Sequence, residues 1–152
     1  MDIAPEDLAQ YFCLMEVQGM KKIRRQDFLN YSGKDPNKKV NLDKFIEAGN
    51  RTTAWVTTQI LKFPTSKSRS DVIALFIHVM DELVNLNSFN NAIYILSSLL
   101  GSTINKLKHT WEFVKKSDRA IMDKCRELLS HDGHYKNYYN VLNQLKINTH
   151  CV

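Results

Sequence analysis

The stretch Leu86–Trp111 (LNSFNNAIYILSSLLGSTINKLKHTW) constrains the fold more than any other part of the chain. It opens on a turn, Asn87-Ser88-Phe89-Asn90, whose Asn and Ser side chains suit the cap of a following helix. Ala92, Ile93, Ile95, Leu96, Leu99 and Leu100 then cover more than one face of that helix. A helix this apolar has to be buried by neighbours, which predicts the central helix of an all-α core. Gly101 stands where a left-handed terminating residue is wanted. Ser102 and Thr103 can cap a short basic helix, Ile104 to Lys108, ending on Thr110-Trp111.

The remaining segments also read as helices. Pro5 to Gly19 begins with a proline suited to an opening turn, beside the acids Glu6 and Asp7. Leu8, Phe12, Met15 and Val17 form its expected apolar face. Asn30 to Lys39 is rich in turn formers and reads as a loop. A long helix is predicted from Val40 to Leu61, followed by a break at Phe63-Pro64-Thr65-Ser66-Lys67. Val72, Ile73, Phe76, Ile77, Met80, Leu83 and Val84 make an amphipathic stripe. Ser117 is expected to cap a helix through Leu129, with Ile121, Cys125 and Leu128 inward. After a turn at His131-Asp132-Gly133-His134, a last helix runs from Lys136 to Leu145. No strand-type alternation and no internal repeat is present, so the fold class is all-α.

Bulk properties exclude several functions. At 152 residues the chain is one domain by length, and 43% hydrophobic with 24% charged is a folded composition. No apolar run reaches membrane-spanning length, and Asp2, Glu6 and Asp7 do not suit a targeting peptide. Three spaced cysteines, Cys13, Cys125 and Cys151, predict reduced thiols and a cytoplasmic location. The net charge of +5 invites a nucleic-acid reading, but the cations fall in small clusters at expected helix ends, without a recognition pattern. No nucleic-acid partner is therefore expected. No phosphate loop, dinucleotide fingerprint or nucleophile triad is visible. His131, His134, Cys125 and Cys151 fit no usual ligand spacing, so neither metal nor cofactor is expected.

The ordered run Asn87, Phe89-Asn90, Ser97-Ser98 and Lys106-Leu107-Lys108-His109-Thr110-Trp111 resembles the exchange domain for Ras-type GTPases, the Cdc25-homology domain. That family reads L-N-N-F-N, then S-x-L/M-N-S-S, then R-L-K-K-T-W. Further matches follow in order: Ala9 to Glu16 with A-R-Q-L-T-L-L-E, and Ile46 to Val56 with F-N-x-x-S-x-W-V. Tyr135-Lys136-Asn137-Tyr138 then matches F/Y-K-N-Y.

The resemblance implies a compact orthogonal bundle of helices that works by binding energy. Such domains grip switch II of the GTPase and favour its nucleotide-free state, so no catalytic residue is implied. Carried over position by position, the GTPase-binding residues are Ile46, Glu47 and Asn50 on the long helix and Ile93 and Leu100 on the central one. Asn105, Lys106 and Lys108 on the basic helix and Tyr135 before the last helix complete the set. At Leu100 the family commonly places an asparagine, and Gly101 replaces a serine, so a polar contact is lost or specificity altered.

Thr149-His150-Cys151-Val152 corresponds to the family's P-P-C-V, which there leads into a helical hairpin and closing helices. The expectation is thus a single incomplete domain over residues 1–152, weakly active alone and prone to self-association through exposed apolar surface. The implied partner is a Ras, Rap or Ral type GTPase, with membranes met only indirectly through it. A non-catalytic GTPase-binding scaffold of the same fold is the second reading. A helical adaptor for acidic phospholipid is the third.

Overall fold

The computed structural model describes residues 3–33, 37, 39–130 and 136–148, with side chains described as far as residue 144. Among these residues the elements are helices α1 (Pro5–Met20), α2 (Arg25–Leu29), α3 (Val40–Leu61), α4 (Ser66–Asn85) and α5 (Phe89–Leu100). They continue with α6 (Ser102–Asn105), α7 (Lys108–Phe113), α8 (Lys116–Leu129) and α9 (Lys136–Asn148). The fold is all-α, as the periodicity predicts.

The core is built on α4. Val72, Ile73, Phe76, Ile77, Val79, Met80 and Leu83 are buried, and α4 packs against α1, α3, α5, α7 and α8. Each such side chain contributes about 1.5–3 kcal/mol on leaving water. Thr65 starts the helix, its hydroxyl accepting from the Ser68 N–H at 3.1 Å. Asn87 ends it in the left-handed region (φ 58°). The Ser88 N–H reaches the Leu83 carbonyl and the Asn87 N–H that of Val84, a paired closure of the last turn.

Helix α5 shares the centre but is not covered on all sides. Ala92, Ile95, Leu96 and Leu99 are buried, whereas Ser97 and Leu100 are exposed and Ile93 is half-buried. Its main partner besides α4 is α3. Thr53 Oγ1 donates to the Tyr94 carbonyl at 3.2 Å, and Thr57 Oγ1 lies 2.8 Å from Ser98 Oγ. Contacts one turn apart on both helices, in the same sense, mean that α3 and α5 run parallel.

The start of α3 is tied to α2 by Asp27, which is 4% exposed. Its carboxylate accepts from the N–H groups of Arg24 (2.9 Å), Asn41 (3.0 Å) and Leu42 (3.4 Å). It thus supplies the anion at the start of α3 that Lys39, the residue at the cap position, does not. These bonds, led by that from Arg24, hold the Asp27 carboxyl below its usual range against the opposing effect of burial.

Several local expectations are corrected. The hydroxyl of Ser88 does not cap α5; it is drawn to the Glu16 carboxylate of α1. Gly101 is extended (φ −58°, ψ 146°), because the chain steps directly from α5 into α6. A Cβ there would lie 3.1 Å from the Ser97 carbonyl oxygen and 3.2 Å from that of Ser98. The predicted basic helix Ile104–Lys108 is split between α6 and α7, where Trp111 Nε1 donates to the Ile104 carbonyl at 3.0 Å. Ser117 lies inside α8, whose cap position is Lys115. On α1 only Phe12 of the predicted face is buried and Leu8 is half-buried; Met15 and Val17 are 51% and 43% exposed. Besides Phe12, burial on α1 falls on Ala9, which lies outside the predicted face, and the helix packs chiefly on α4.

Candidate functional site

Two faces flank the α3–α5 pair. On the first, Ile46 and Asn50 continue the helical stripe that holds Thr53 and Thr57 (i, i+4, i+7, i+11). Because both threonines bond to α5, the exposed start of the stripe borders that helix. On α5 Ser97 and Leu100 are exposed and share one stripe (i, i+4, i+7) with Ile93, which is half-buried and packs in part against the core. Ile46 is 39% exposed and Leu100 38%, while Asn50 is exposed and Ile93 half-buried. Glu47 lies about 100° further round α3 and is held by Arg51 at 2.8 Å. It sits at the edge of the strip.

Past Leu100 the strip turns onto α6 and α7, where Asn105, Lys106 and Lys108 are all exposed. Among the described residues no carboxylate lies within ion-pair distance of Lys106 or Lys108. In the parallel register of α3 and α5, Ile46 and Leu100 are about thirteen residues apart in level, about 20 Å at the helical rise. Tyr135 lies outside the described residues.

The opposite flank of α3 forms a cleft with α1 and α5 of about 600 Å³. Leu8, Phe12, Met15, Phe45, Trp55 and Tyr94 are among its lining residues. Gly49 brings Tyr94 against α3, and Gly19 lets Phe45 approach α1, an added Cβ meeting Phe45 Cδ2 at 2.9 Å. Nothing in the expectations above picked out this cleft; the sequence signal for it is the glycine of each helix opposite an aromatic ring. At its end Glu16 ties α1 to α5, accepting from Asn90 Nδ2 (2.6 Å), Asn91 Nδ2 (2.7 Å) and the Ser88 hydroxyl.

Cys125 is buried on the inner side of α8, and burial, with a smaller contribution from Asp81, pushes its thiol up to about 11. His78 Nε2 lies 3.3 Å from Asp118 Oδ1 in a pair that joins α4 to α8. Among the described residues no cluster of three or more His, Cys, Asp or Glu could hold a metal ion, and no helix is long and apolar enough to cross a membrane.

Of the nominated residues, Ile46, Glu47, Asn50, Leu100, Asn105, Lys106 and Lys108 are exposed and Ile93 is half-buried against the core, on a helical bundle. Residues 7–152 match the family model described as the RasGEF domain, and the chain belongs to that family. It is 33% identical over 150 residues to Ras guanine nucleotide exchange factor E of Dictyostelium discoideum, covering 95% of this chain and 14% of that protein. Ras guanine nucleotide exchange factor W of the same organism is 34% identical over 136 residues, covering 87% and 12%. RAS guanyl-releasing protein 1 of Xenopus tropicalis is 29% identical over 143 residues, covering 93% and 18%. The chain therefore spans less than a fifth of the length of these curated relatives.

Proposed function

We propose that this chain is a guanine-nucleotide exchange domain that binds a Ras-family small GTPase through the α3–α5 strip and promotes GDP release. In this reading Ile46, Ile93 and Leu100 supply apolar burial and Asn50 and Asn105 polar contacts. Lys106 and Lys108 face acidic groups of the partner, with Glu47 at the rim; Tyr135 is included on the family resemblance alone. Release follows if the strip fits the nucleotide-free GTPase better than the GDP-bound one, since a ligand shifts a population by its differential affinity. Membership of the RasGEF family is the observation that carries the reading. The adjoining stripes of Ile46 and Asn50 with Ile93 support the choice of face.

Release of fluorescent GDP from a panel of Ras, Rap and Ral proteins tests it. The expected result is acceleration by the chain for at least one of them, diminished by Ile93→Ala. One observation favours a second reading, a GTPase-binding scaffold: Leu100 presents an apolar, 38% exposed side chain where the family commonly has asparagine. A scaffold binds the GTPase without accelerating release.

A further inference from the structure

Four large apolar side chains stand in solvent within one short stretch that begins at the end of α1. Met20 is 45% exposed, Phe28 61%, Leu29 72% and Tyr31 59%; Phe28 and Leu29 are the most exposed large apolar residues among those described. Lys21, Lys22, Arg24 and Arg25 lie between them, all exposed. The one acid of the stretch, Asp27, is turned inward and bonded to three backbone N–H groups. From α3's side Lys39 adds its Nζ, 3.1 Å from the Tyr31 carbonyl, with Asp43 3.9 Å away.

The local structure explains the projection. Helix α2 is five residues long, and Arg25, Phe28 and Leu29 share one side at i, i+3 and i+4. Asp27 pins the other side to the start of α3, so these three point away from the body. The result is a corner of protruding apolar side chains beside Lys21, Lys22, Arg24 and Arg25, none of which pairs with a carboxylate among the described residues. Protruding apolar side chains flanked by several cations suit an anionic bilayer, where the apolar tips enter the interface and the basic residues lie level with the headgroups.

We propose that the α1–α2 corner is a contact surface for membranes bearing anionic headgroups. Lys21, Lys22, Arg24 and Arg25 lie over the headgroups, while Phe28 and Leu29 insert at the interface. This takes up, on one named surface, the lipid contact of the third reading, and departs from the expectation that membranes are met only through the GTPase. It does not rest on the exchange reading, because it concerns a different surface and a lipid ligand.

The test is co-sedimentation of the purified chain with vesicles of phosphatidylcholine alone or mixed with phosphatidylserine, at low and high salt. Binding is expected only with phosphatidylserine, and it should weaken as salt rises. Lys21→Ala/Arg25→Ala should weaken it by roughly twenty- to thirtyfold, at about fivefold per cation. Phe28→Ala/Leu29→Ala should weaken it by about tenfold or more with the charge intact. If circular dichroism shows the latter to be unfolded, Leu29→Gln alone takes its place, with a smaller loss expected in the same direction.

The charge-matched control Lys115→Ala/Lys116→Ala should bind as the parent does. Absence of binding to phosphatidylserine vesicles overturns the proposal, as does an equal loss in the control. Loss in the charge variant with none in the apolar one overturns insertion. A change in self-association alone shows the corner to be a protein contact. The vesicles contain no GTPase, so failure here and failure of nucleotide exchange are read separately.

Discussion

Tyr94 lies so close over Gly49 that a Cβ on the glycine would stand 2.2 Å from the ring's Cζ. The two residues set the spacing of α3 and α5, on which the proposed GTPase strip depends. Gly49→Ala should therefore destabilise, although alanine favours a helix by about 1 kcal/mol over glycine. Overpacking at a buried contact costs about 1–3 kcal/mol, and here a ring must leave its place. Denaturant unfolding should show a lower midpoint, and GTPase binding should fall as the helices separate. A midpoint equal to or above the parent's contradicts the role given to this contact.

Glu16 is the bond point between α1 and α5. Its carboxylate accepts from three side chains of the α4–α5 corner, and Asn91 also donates to the Phe12 carbonyl at 3.0 Å. Replacement by alanine strands these donors in a partly buried setting and should cost about 2–3 kcal/mol. Glu16→Gln keeps the length but replaces one acceptor by a donor, and should cost less. Chemical denaturation of both variants checks the order.

Asp27 makes stability depend on pH. Its folded-state pKa lies below the ordinary 3.8, chiefly through the Arg24 N–H and then those of Asn41 and Leu42. The stabilisation is thus complete above the unfolded-state value and disappears as pH falls through the folded-state one. Asp27→Asn should be less stable than the parent at neutral pH, with the gap closing under acid. Parallel unfolding curves against pH measure this, and a gap that widens on acidification refutes it.

On the strip, apolar and cationic residues should act differently. Ile93→Ala is expected to cost about 1 kcal/mol or more of GTPase affinity, mainly as faster dissociation. Lys106→Ala/Lys108→Ala should slow association and flatten its salt dependence, because exposed cations steer encounter. Surface plasmon resonance at two salt concentrations separates the two effects.

Much of the architecture is legible in local pattern. Helix α3 begins and ends at Val40 and Leu61 as the spacing predicts, and the α4 stripe from Val72 to Leu83 is buried. The errors lie where partners distant in sequence decide. Ser88 reads as a cap until Glu16 takes its hydroxyl, and Gly101 reads as a left-handed stop until α6 follows at once. Met15 reads as core, although it lines an open cleft. Of the proposed strip, Ile46 and Asn50 could be joined to Ile93 only through the family resemblance. Periodicity alone does not say that α3 and α5 run parallel.

The most direct measurement is affinity of the purified chain for one Ras-family GTPase in nucleotide-free and GDP-bound forms, with Ile93→Ala in parallel. The account predicts tighter binding to the nucleotide-free form and a loss of that binding in the variant. Equal affinity for both forms, or binding that Ile93→Ala leaves unchanged, would contradict it.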